Sequence, residues 1–558
     1  VYQLEFQDLK VNPITGYIIV LNAKVFPRDT ARQQYGYINS HFDLTTRKIV
    51  LEKVNLVKLL WGNALDLDKI EIVEPEIDFT IANKNPVFFP FRGEKLDTVG
   101  VEKKRALVSF VIKKLDLVDA HFHVINLDST REGDLQGINL SFGEITIDRE
   151  TQKDKIAYQY FDFSIGELNA KLKKSDLRDF HLKDFMIRVD SLYFEQTPDT
   201  VIYHFSDART SGHDLDIQTS DSLFHIALDS FRLHYAGNAI ELKNVAYKPN
   251  RSEKAIAARF PFRKEVFNVV ADSIHVKGIN FDSLMYANKI FVDEVLLDSV
   301  YCEIYKDLTR PFPPHHQPKY LGQQVKEYAI PVFIKHINVS HANLLNKEVT
   351  PDSSSGKVNI TRGKLDIYNI TNLPTAEPLK VEADAYVENS AHTNLEVNFR
   401  YDQSQFSIKG NVKPFELQEL NPFINSYTPM RIKKGMSDGI TFSGVVYRTY
   451  STGNMKSLYH DLEFEMAPVE KVSLGTIIKA FVAKTIINNS NPPSPNLPTR
   501  VVQFHVDRDM RTGFIWIIVK SMLDGIQETF IMSKENKEVY REKKEIMKKR
   551  EKEEKNAN

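Results

Sequence analysis

Apolar and polar residues alternate with a period of two along most of this chain. Leu395, Val397, Phe399 and Tyr401 fall on one side of the pattern, and Glu396, Asn398 and Arg400 on the other. Leu462, Phe464 and Met466 alternate with Glu463 and Glu465, and Val502, Phe504 and Val506 with Gln503, His505 and Asp507. Successive side chains of a strand point to opposite faces, so the spacing predicts strands with one apolar and one wet face, as in antiparallel sheet.

A short repeat sits on the alternation: apolar, any residue, apolar, a break, and another apolar residue seven positions after the first. It occurs at Ile70, Ile72, Ile77; at Leu115, Leu117, Phe122; at Ile274, Val276, Phe281; at Val295, Leu297, Cys302; and at Ile337, Val339, Leu344. In a straight strand an odd offset would change faces. A turn or bulge must therefore intervene, and Glu74-Pro75, Lys277-Gly278 and Asp298-Ser299 suit one. Copies begin 45, 21 or 42 residues apart, too irregular for a propeller or a leucine-rich solenoid. The spacing predicts a long meander of hairpins, about 30–35 strands of ordinary length.

Helical signals are few. Val54–Leu65 carries Leu56, Leu59 and Leu60 on one helical face. Leu474–Ile487 places Ile477, Ile478, Phe481, Val482 and Thr485 on a stripe behind the capping residue Ser473. Ser533–Lys555 holds 10 basic and 7 acidic residues and reads as an exposed charged helix or frayed tail. Prolines 311, 313, 314 and 318 mark a kink near 307–324. The expected organisation is one continuous body over 1–487, a closing segment over 488–532 and a charged tail over 533–558.

Composition sharpens the picture. The 558 residues include 73 basic and 74 acidic side chains, a net charge of -1. That balance argues against a nucleic-acid partner, which requires Lys and Arg in excess on one surface. With 42% hydrophobic residues, including 35 Phe and 23 Tyr, the chain can bury a large apolar surface. Its one cysteine, Cys302, forbids an internal disulfide and occupies an apolar position of the repeat, so it reads as a core thiol. The longest apolar runs, Phe514–Val519 and Tyr17–Leu21, are far shorter than the roughly 20 residues of a spanning helix. A signal peptide or anchor helix upstream of Val1 is expected.

Catalytic chemistry has little to stand on. No G-x-S-x-G, H-E-x-x-H or phosphate-cradling glycine loop occurs, so no enzyme and no cofactor is expected. His121 and His123 share a strand face near Asp119, but zinc needs further ligands held close, and surface histidines are the plainer reading. His315-His316 lies among the prolines. Asp followed by Ser or Thr and then an aliphatic residue or Thr recurs at Asp97, Asp128, Asp190, Asp199, Asp221, Asp272, Asp282 and Asp298. Asp-Ser makes turns that feed the next strand. The same tripeptide resembles an O-glycosylation sequon on exported proteins of one group of diderm bacteria, which implies modification at Thr98, Ser129, Ser191, Thr200, Ser222, Ser273, Ser283 or Ser299.

Three segments carry a family resemblance. Val57–Phe79 reads VKLLWGNALDLDKIEIVEPEIDF, a leucine-bearing turn leading to a strand, a proline and a second strand. Tyr2–Arg28 reads as strand, turn, strand. Gly410–Tyr447 holds a strand, then PFELQELNPFI, then KGMSDGITFSG. In this order they resemble bacterial AsmA-like envelope proteins. The resemblance implies a non-enzymatic, inner-membrane-anchored periplasmic protein that moves phospholipid or maintains the outer membrane through a repeating β-groove, with an outer-membrane partner.

Physical reasoning points the same way. A sheet with one apolar face must cover it, and amphipathic helices are too few here. The expected fold is mainly β: an elongated antiparallel meander curled into an open apolar groove, with a few short helices and a charged C-terminal helix. Ile70, Ile72, Leu115, Leu117, Phe122, Ile274, Val276, Phe281, Ile337, Val339, Leu395, Val397 and Phe399 are its expected lining, with His275 and Lys277 pointing away. Phospholipid or another acyl-chain lipid is the expected ligand. The alternative is a scaffolding envelope protein of closed sandwich layers that carries no lipid.

Overall fold

The computed structural model describes residues 2–27, 40–62, 64–81, 109–126, 131–148, 156–172, 177–196, 201–349, 355–375, 377–427, 430–466, 489–494, 496–530 and 532–557. The chain is mainly β and divides into two units, Val1–Ala246 and Tyr247–Asn558. Each is built on an open ladder of strands, and no described helix is long and apolar enough to cross a membrane.

The N-terminal unit contains β1 (Tyr2–Glu5), β2 (Asp8–Asn12), β3 (Tyr17–Pro27), β4 (His41–Glu52), β5 (Ala64–Ile81), β6 (Ser109–Asn126), β7 (Arg131–Asp148), β8 (Ile156–Leu172), β9 (Leu177–Gln196), β10 (Val201–His204), β11 (Asp207–Thr219) and β12 (Phe224–His234). A short helix, α1 (Leu56–Trp61), joins β4 to β5, and β13 (Ala239–Pro249) runs across the unit boundary. Strands β3 to β9 pair in chain order, with β1 and β2 on the free edge of β3 and β10 and β11 on that of β9.

The C-terminal unit contains α2 (Glu253–Ala257), β14 (Glu265–Lys277), α3 (Phe281–Ala287), β15 (Ile290–Asp307), α4 (Leu321–Lys326), β16 (Val332–Val349), β17 (Ser355–Thr371), β18 (Leu379–Val387), β19 (Ala391–Phe399) and β20 (Phe406–Val412). It continues with β21 (Phe415–Glu416), α5 (Asn421–Tyr427), β22 (Met430–Val446), β23 (Tyr450–Met466), β24 (Val502–Asp507), α6 (Phe514–Phe530) and the charged α7 (Lys534–Ala557). Pairing again follows chain order from β14 to β20, then β22, β23 and β24. The helix expected over Val54–Leu65 is shorter, and the one expected over Leu474–Ile487 lies outside the described residues.

Two steps of this meander are parallel, which corrects the all-antiparallel expectation. β5 pairs with β6 in parallel, Ile70 beside Leu115, and β15 pairs with β16 likewise, Val295 beside Ile337. The 45- and 42-residue spacings of the repeat are these parallel registers, and the 21-residue spacing belongs to the antiparallel pair β14–β15. A parallel step needs a crossover where a hairpin would otherwise turn. Between β15 and β16 that crossover holds Pro311, Pro313, Pro314, Pro318 and α4.

The odd offset of the repeat has one physical cause. Its fifth position is left-handed in all five copies: Glu74 (φ 50), Asp119 (φ 53), Gly278 (φ 64), Ser299 (φ 53) and His341 (φ 51). In four copies that residue is a bulge inside a single strand of 18 residues, which returns the following apolar residue to the original face. Because bulges rather than turns break the pattern, the strands are long and 24 suffice among the described residues. In the remaining copy Gly278 ends β14, so Phe281 begins α3 and is not a strand residue, as the repeat had suggested.

The two units also share a module. Residues 53–74 and 278–299 align without gaps: left-handed Lys53 and Gly278, buried Val54 and Ile279, capping Asn55 and Asn280, then helix, strand and bulge. Both place one ion pair across the parallel step, Asp68–Lys113 at 2.6 Å and Asp293–Lys335 at 2.5 Å.

Candidate functional site

Register gathers the apolar positions of separate strands into rows. Val20, Ile49, Ile72, Leu117, Leu140, Phe163 and Ile187 are successive cross-strand partners from β3 to β9. A second row runs Ile18, Leu51, Ile70, Leu115, Phe142, Phe161 and Val189, and a third, beyond the bulges, Val25, Leu44, Ile77, Phe122, Leu135, Leu168 and Leu182. Paired residues share a face, and the bulges keep the third row with the other two. Rings meet on that face: Phe79–Phe122 at 5.6 Å, Phe142–Phe161 at 5.0 Å and Phe163–Phe185 at 6.4 Å between centroids.

Most of these side chains are only half-buried; Ile77, Leu117, Leu182 and Val189 are the buried exceptions in the three rows. Among the described residues of this unit, α1 is the one helix, and its Leu56 and Leu59 cover only the end near Ile70 and Leu115. Complete burial of a Leu, Ile or Phe side chain contributes about 1.5–3 kcal/mol. The residual exposure of the rows leaves part of that unrealised, so an apolar cover would add to it.

The C-terminal unit continues the design and then changes it. One row runs Val276, Val295, Ile337, Ile367, Val381, Val397 and Ile408, and its neighbour Ile274, Leu297, Val339, Leu365, Ala383 and Leu395. Over β14–β16 these residues are half-buried, but Val397, Ile408, Phe442, Met455 and Val502 are 0–4% exposed. The cover is α6, whose Ile517 and Ile518 join their cluster. The Phe514 ring meets that of Phe399 edge-on at 5.3 Å. The Ser521 and Ser451 hydroxyls hydrogen-bond at 2.6 Å in the buried contact.

The opposite face is polar and internally paired. Asp116 accepts from Lys114 Nζ at 2.8 Å and from the Ser141 hydroxyl at 2.6 Å. Asp366 contacts His336 Nε2 at 2.9 Å, Asn338 Nδ2 at 2.6 Å and Lys364 Nζ at 3.2 Å. Burial pushes the Asp366 carboxyl up, but these donors outweigh it and hold the group below its ordinary range. A hollow of about 750 Å³ on this face is lined by groups such as Lys364, Asp384, Asn394, Lys409, Asn411 and Lys456.

The expected groove residues divide accordingly. Ile70, Ile72, Leu115, Leu117 and Phe122 lie in the rows of the N-terminal unit, and Ile274, Val276, Ile337 and Val339 in the half-open rows of the C-terminal unit. Phe281 is instead the buried first residue of α3. Leu395, Val397 and Phe399 share the apolar face, but it is closed there: Val397 and Phe399 are buried in one cluster with Val325 of α4 and Ile517 and Ile518 of α6, and Leu395 packs against that cluster, so they do not line an open surface. Lys277 pairs with Glu294 at 3.3 Å on the wet side.

Among the possible modification sites, Ser191, Ser222 and Ser299 are left-handed, at φ 56, 56 and 53, Ser273 lies in β14 and Ser283 in α3. Thr98, Ser129 and Thr200 lie outside the described residues. His121 Nε2 sits 2.8 Å from Asp134, a contact that holds the Asp134 carboxyl below its ordinary range. The described residues contain no group of three side chains placed to hold a metal. Cys302 is half-buried, and burial pushes its thiol up.

The sealing helix α6 and the duplicated α1/α3 module escaped sequence reasoning. The signals were the Phe514–Val519 run and the pairing of Asn55 with Asn280 as caps. Compared with known proteins, the chain matches no family model and no curated sequence.

Proposed function

We propose that this chain binds acyl-chain lipid along the apolar face of its sheet and serves lipid transfer between membranes of a bacterial envelope. The observation that carries the reading is the continuous half-buried rows from β3 to β9, with the like rows from β14 to β16. A contiguous apolar surface of this kind marks a binding site in a soluble domain. The polar, paired opposite face supports a ligand seated on one side only. The resemblance to AsmA-like proteins adds phospholipid as ligand and a periplasmic body held to the inner membrane by a segment upstream of Val1. It adds a role in outer-membrane biogenesis or integrity through an outer-membrane partner. The role is one of binding and transfer, and glycosylation at Asp-Ser turns such as Asp221-Ser222 fits the same compartment.

The test is lipid extraction from protein purified without detergent, beside matched substitutions. Val276→Asp puts a carboxyl in the apolar row, where desolvation drives it to the neutral form and an unpaired neutral polar group still costs on the order of 2–7 kcal/mol, whereas Lys277→Gln alters the wet side. Folded Val276→Asp protein that retains less lipid, with Lys277→Gln unchanged, supports the proposal. Folded protein with no lipid in any preparation overturns it. Loss of fold in Val276→Asp together with lipid-free wild type would favour the closed, scaffolding alternative.

A further inference from the structure

We propose that the hollow on the polar face of the C-terminal unit is a second binding site, built for a phosphorylated sugar or polyol. It stands apart from the acyl-lipid reading, because α6 closes the apolar side of the same strands. Cross-strand register sets its floor. Lys409 and Asn411 of β20 pair with Ser443 and Thr441 of β22, which pair in turn with Asn454 and Lys456 of β23. The result is a block of six polar side chains, all exposed and all lining the hollow, with the hydroxyls central and the lysines at opposite corners.

The block differs from the face around it. Neighbouring lysines are matched: Lys364 with Asp366 at 3.2 Å, Lys380 with Glu382 at 2.6 Å and Lys434 with Glu463 at 2.9 Å. Among the described residues, none of the six side chains of the block has a hydrogen-bond or ion-pair partner. Glu396 stands opposite Lys409 across the β19–β20 ladder, but its carboxylate accepts from Asn398 Nδ2 at 2.8 Å and forms no ion pair with that lysine. An ammonium only donates, so one lysine cannot satisfy another. Two of them beside four further donors, with no carboxylate in the block, make it complementary to an anion.

Geometry narrows the anion. The two lysines lie two strands and two residues apart, about 12 Å between Cα atoms at ordinary strand spacing, so both side chains can lean over Thr441 and Ser443. A phosphate ester brings about two negative charges and three acceptor oxygens, enough for both ammoniums and a hydroxyl together. A carboxylate brings one charge and two oxygens. The size of the hollow narrows the rest. At about 750 Å³ it suits a small molecule and far exceeds a bare phosphate. Beyond the block it is walled by Asn394, Glu382 and Glu396, amide beside carboxylate, which matches hydroxyls that both donate and accept.

The test is equilibrium dialysis of the full-length protein against radiolabelled glucose 6-phosphate at low salt. Phosphatidylcholine vesicles containing phosphatidylinositol 4-phosphate form a separate arm, read by co-sedimentation. Saturable binding is expected, weakened about three- to tenfold by Lys409→Gln or Lys456→Gln and unchanged by Lys434→Gln, whose lysine is already paired. Both lysines of the block are exposed, so these variants keep the fold. Binding to the vesicles alone, with the same lysine dependence, supports the site and assigns its ligand to a membrane headgroup. Competition by inorganic phosphate as strong as that by glucose 6-phosphate, or competition by glucose alone, overturns the class of ligand. Equal weakening by Lys434→Gln reveals diffuse attraction and overturns the site, as does the absence of binding in both arms.

Discussion

Gly525 of α6 lies against Met455 of β23 so closely that a Cβ on Gly525 would stand 2.8 Å from the Met455 sulfur. The nearest obstacle is the flexible end of a buried thioether, which can shift, with the Met455 Cβ next at 3.1 Å. Gly525→Ala should therefore leave the urea midpoint nearly unchanged, aided by better helix propensity. Gly525→Leu should destabilise by about 1–3 kcal/mol through overpacking, and Met455→Ala should recover part of that loss in the double variant. Equal losses for Ala and Leu would contradict the fit described for α6.

The bulge at Glu74 makes a second prediction. A β-branched residue tolerates the left-handed region poorly, at roughly 1–2 kcal/mol, whereas Gly enters it freely. Glu74→Val should lower stability by about that amount and Glu74→Gly should be close to neutral. The Arg47–Glu74 ion pair at 3.2 Å is solvent-exposed and contributes little to either outcome. Urea titration of both variants decides the matter, and a tolerated Val would refute the bulge.

Asp524 supplies a pH dependence. Burial pushes its carboxyl above the ordinary range, and the His505 amide, donating at 3.2 Å, does not cancel the effect. The folded state thus holds this proton more tightly than the unfolded chain. Its stabilising contribution is present below the unfolded value of about 3.9 and is lost as pH rises through the raised folded value. Asp524→Asn removes that loss, so urea midpoints of wild type and variant should diverge with rising pH, the variant becoming the more stable. Parallel curves would count against it.

Asp298 titrates in the opposite sense. The Ser340 hydroxyl at 2.6 Å, and then His341 Nδ1 at 2.6 Å, lower its carboxyl to about 2. Its contribution to stability is present above about 3.9 and is lost as pH falls through about 2. Ser340→Ala should move the Asp298 titration, followed by carboxyl carbon NMR, up toward the ordinary range. An unmoved midpoint would show that the hydroxyl is not the cause.

Much of this architecture was legible along the chain. Period-two alternation located strands such as β19, β23 and β24, and turn chemistry at Glu74, Gly278 and Ser299 located the breaks. Direction was not legible, because alternation is identical in parallel and antiparallel strands; the 45- and 42-residue spacings held that information as registers. Phe281 was misplaced because a bulge and a helix start disturb the pattern equally, although Asn280 is a cap signal. The cover over Val397 and Phe399 was hidden for another reason. The first turns of α6 are apolar all round, with Ile515 and Trp516 outward and Ile517 and Ile518 inward, so no periodicity distinguishes a helix from a core strand there.

The parallel steps carry a consequence for how the chain assembles. Antiparallel neighbours meet through local connections, but β5 must wait for a partner 45 residues further along, and longer closures are slower. During that interval β5 presents a bare 18-residue edge, a template for wrong pairing with any other chain. Its own sequence restrains the hazard. Pro75 interrupts the strand midway, and Lys69, Glu71, Glu74 and Glu76 set charges along it. The same residues that shape the bulge region therefore act as gatekeepers against aggregation while the seam with β6 is still open.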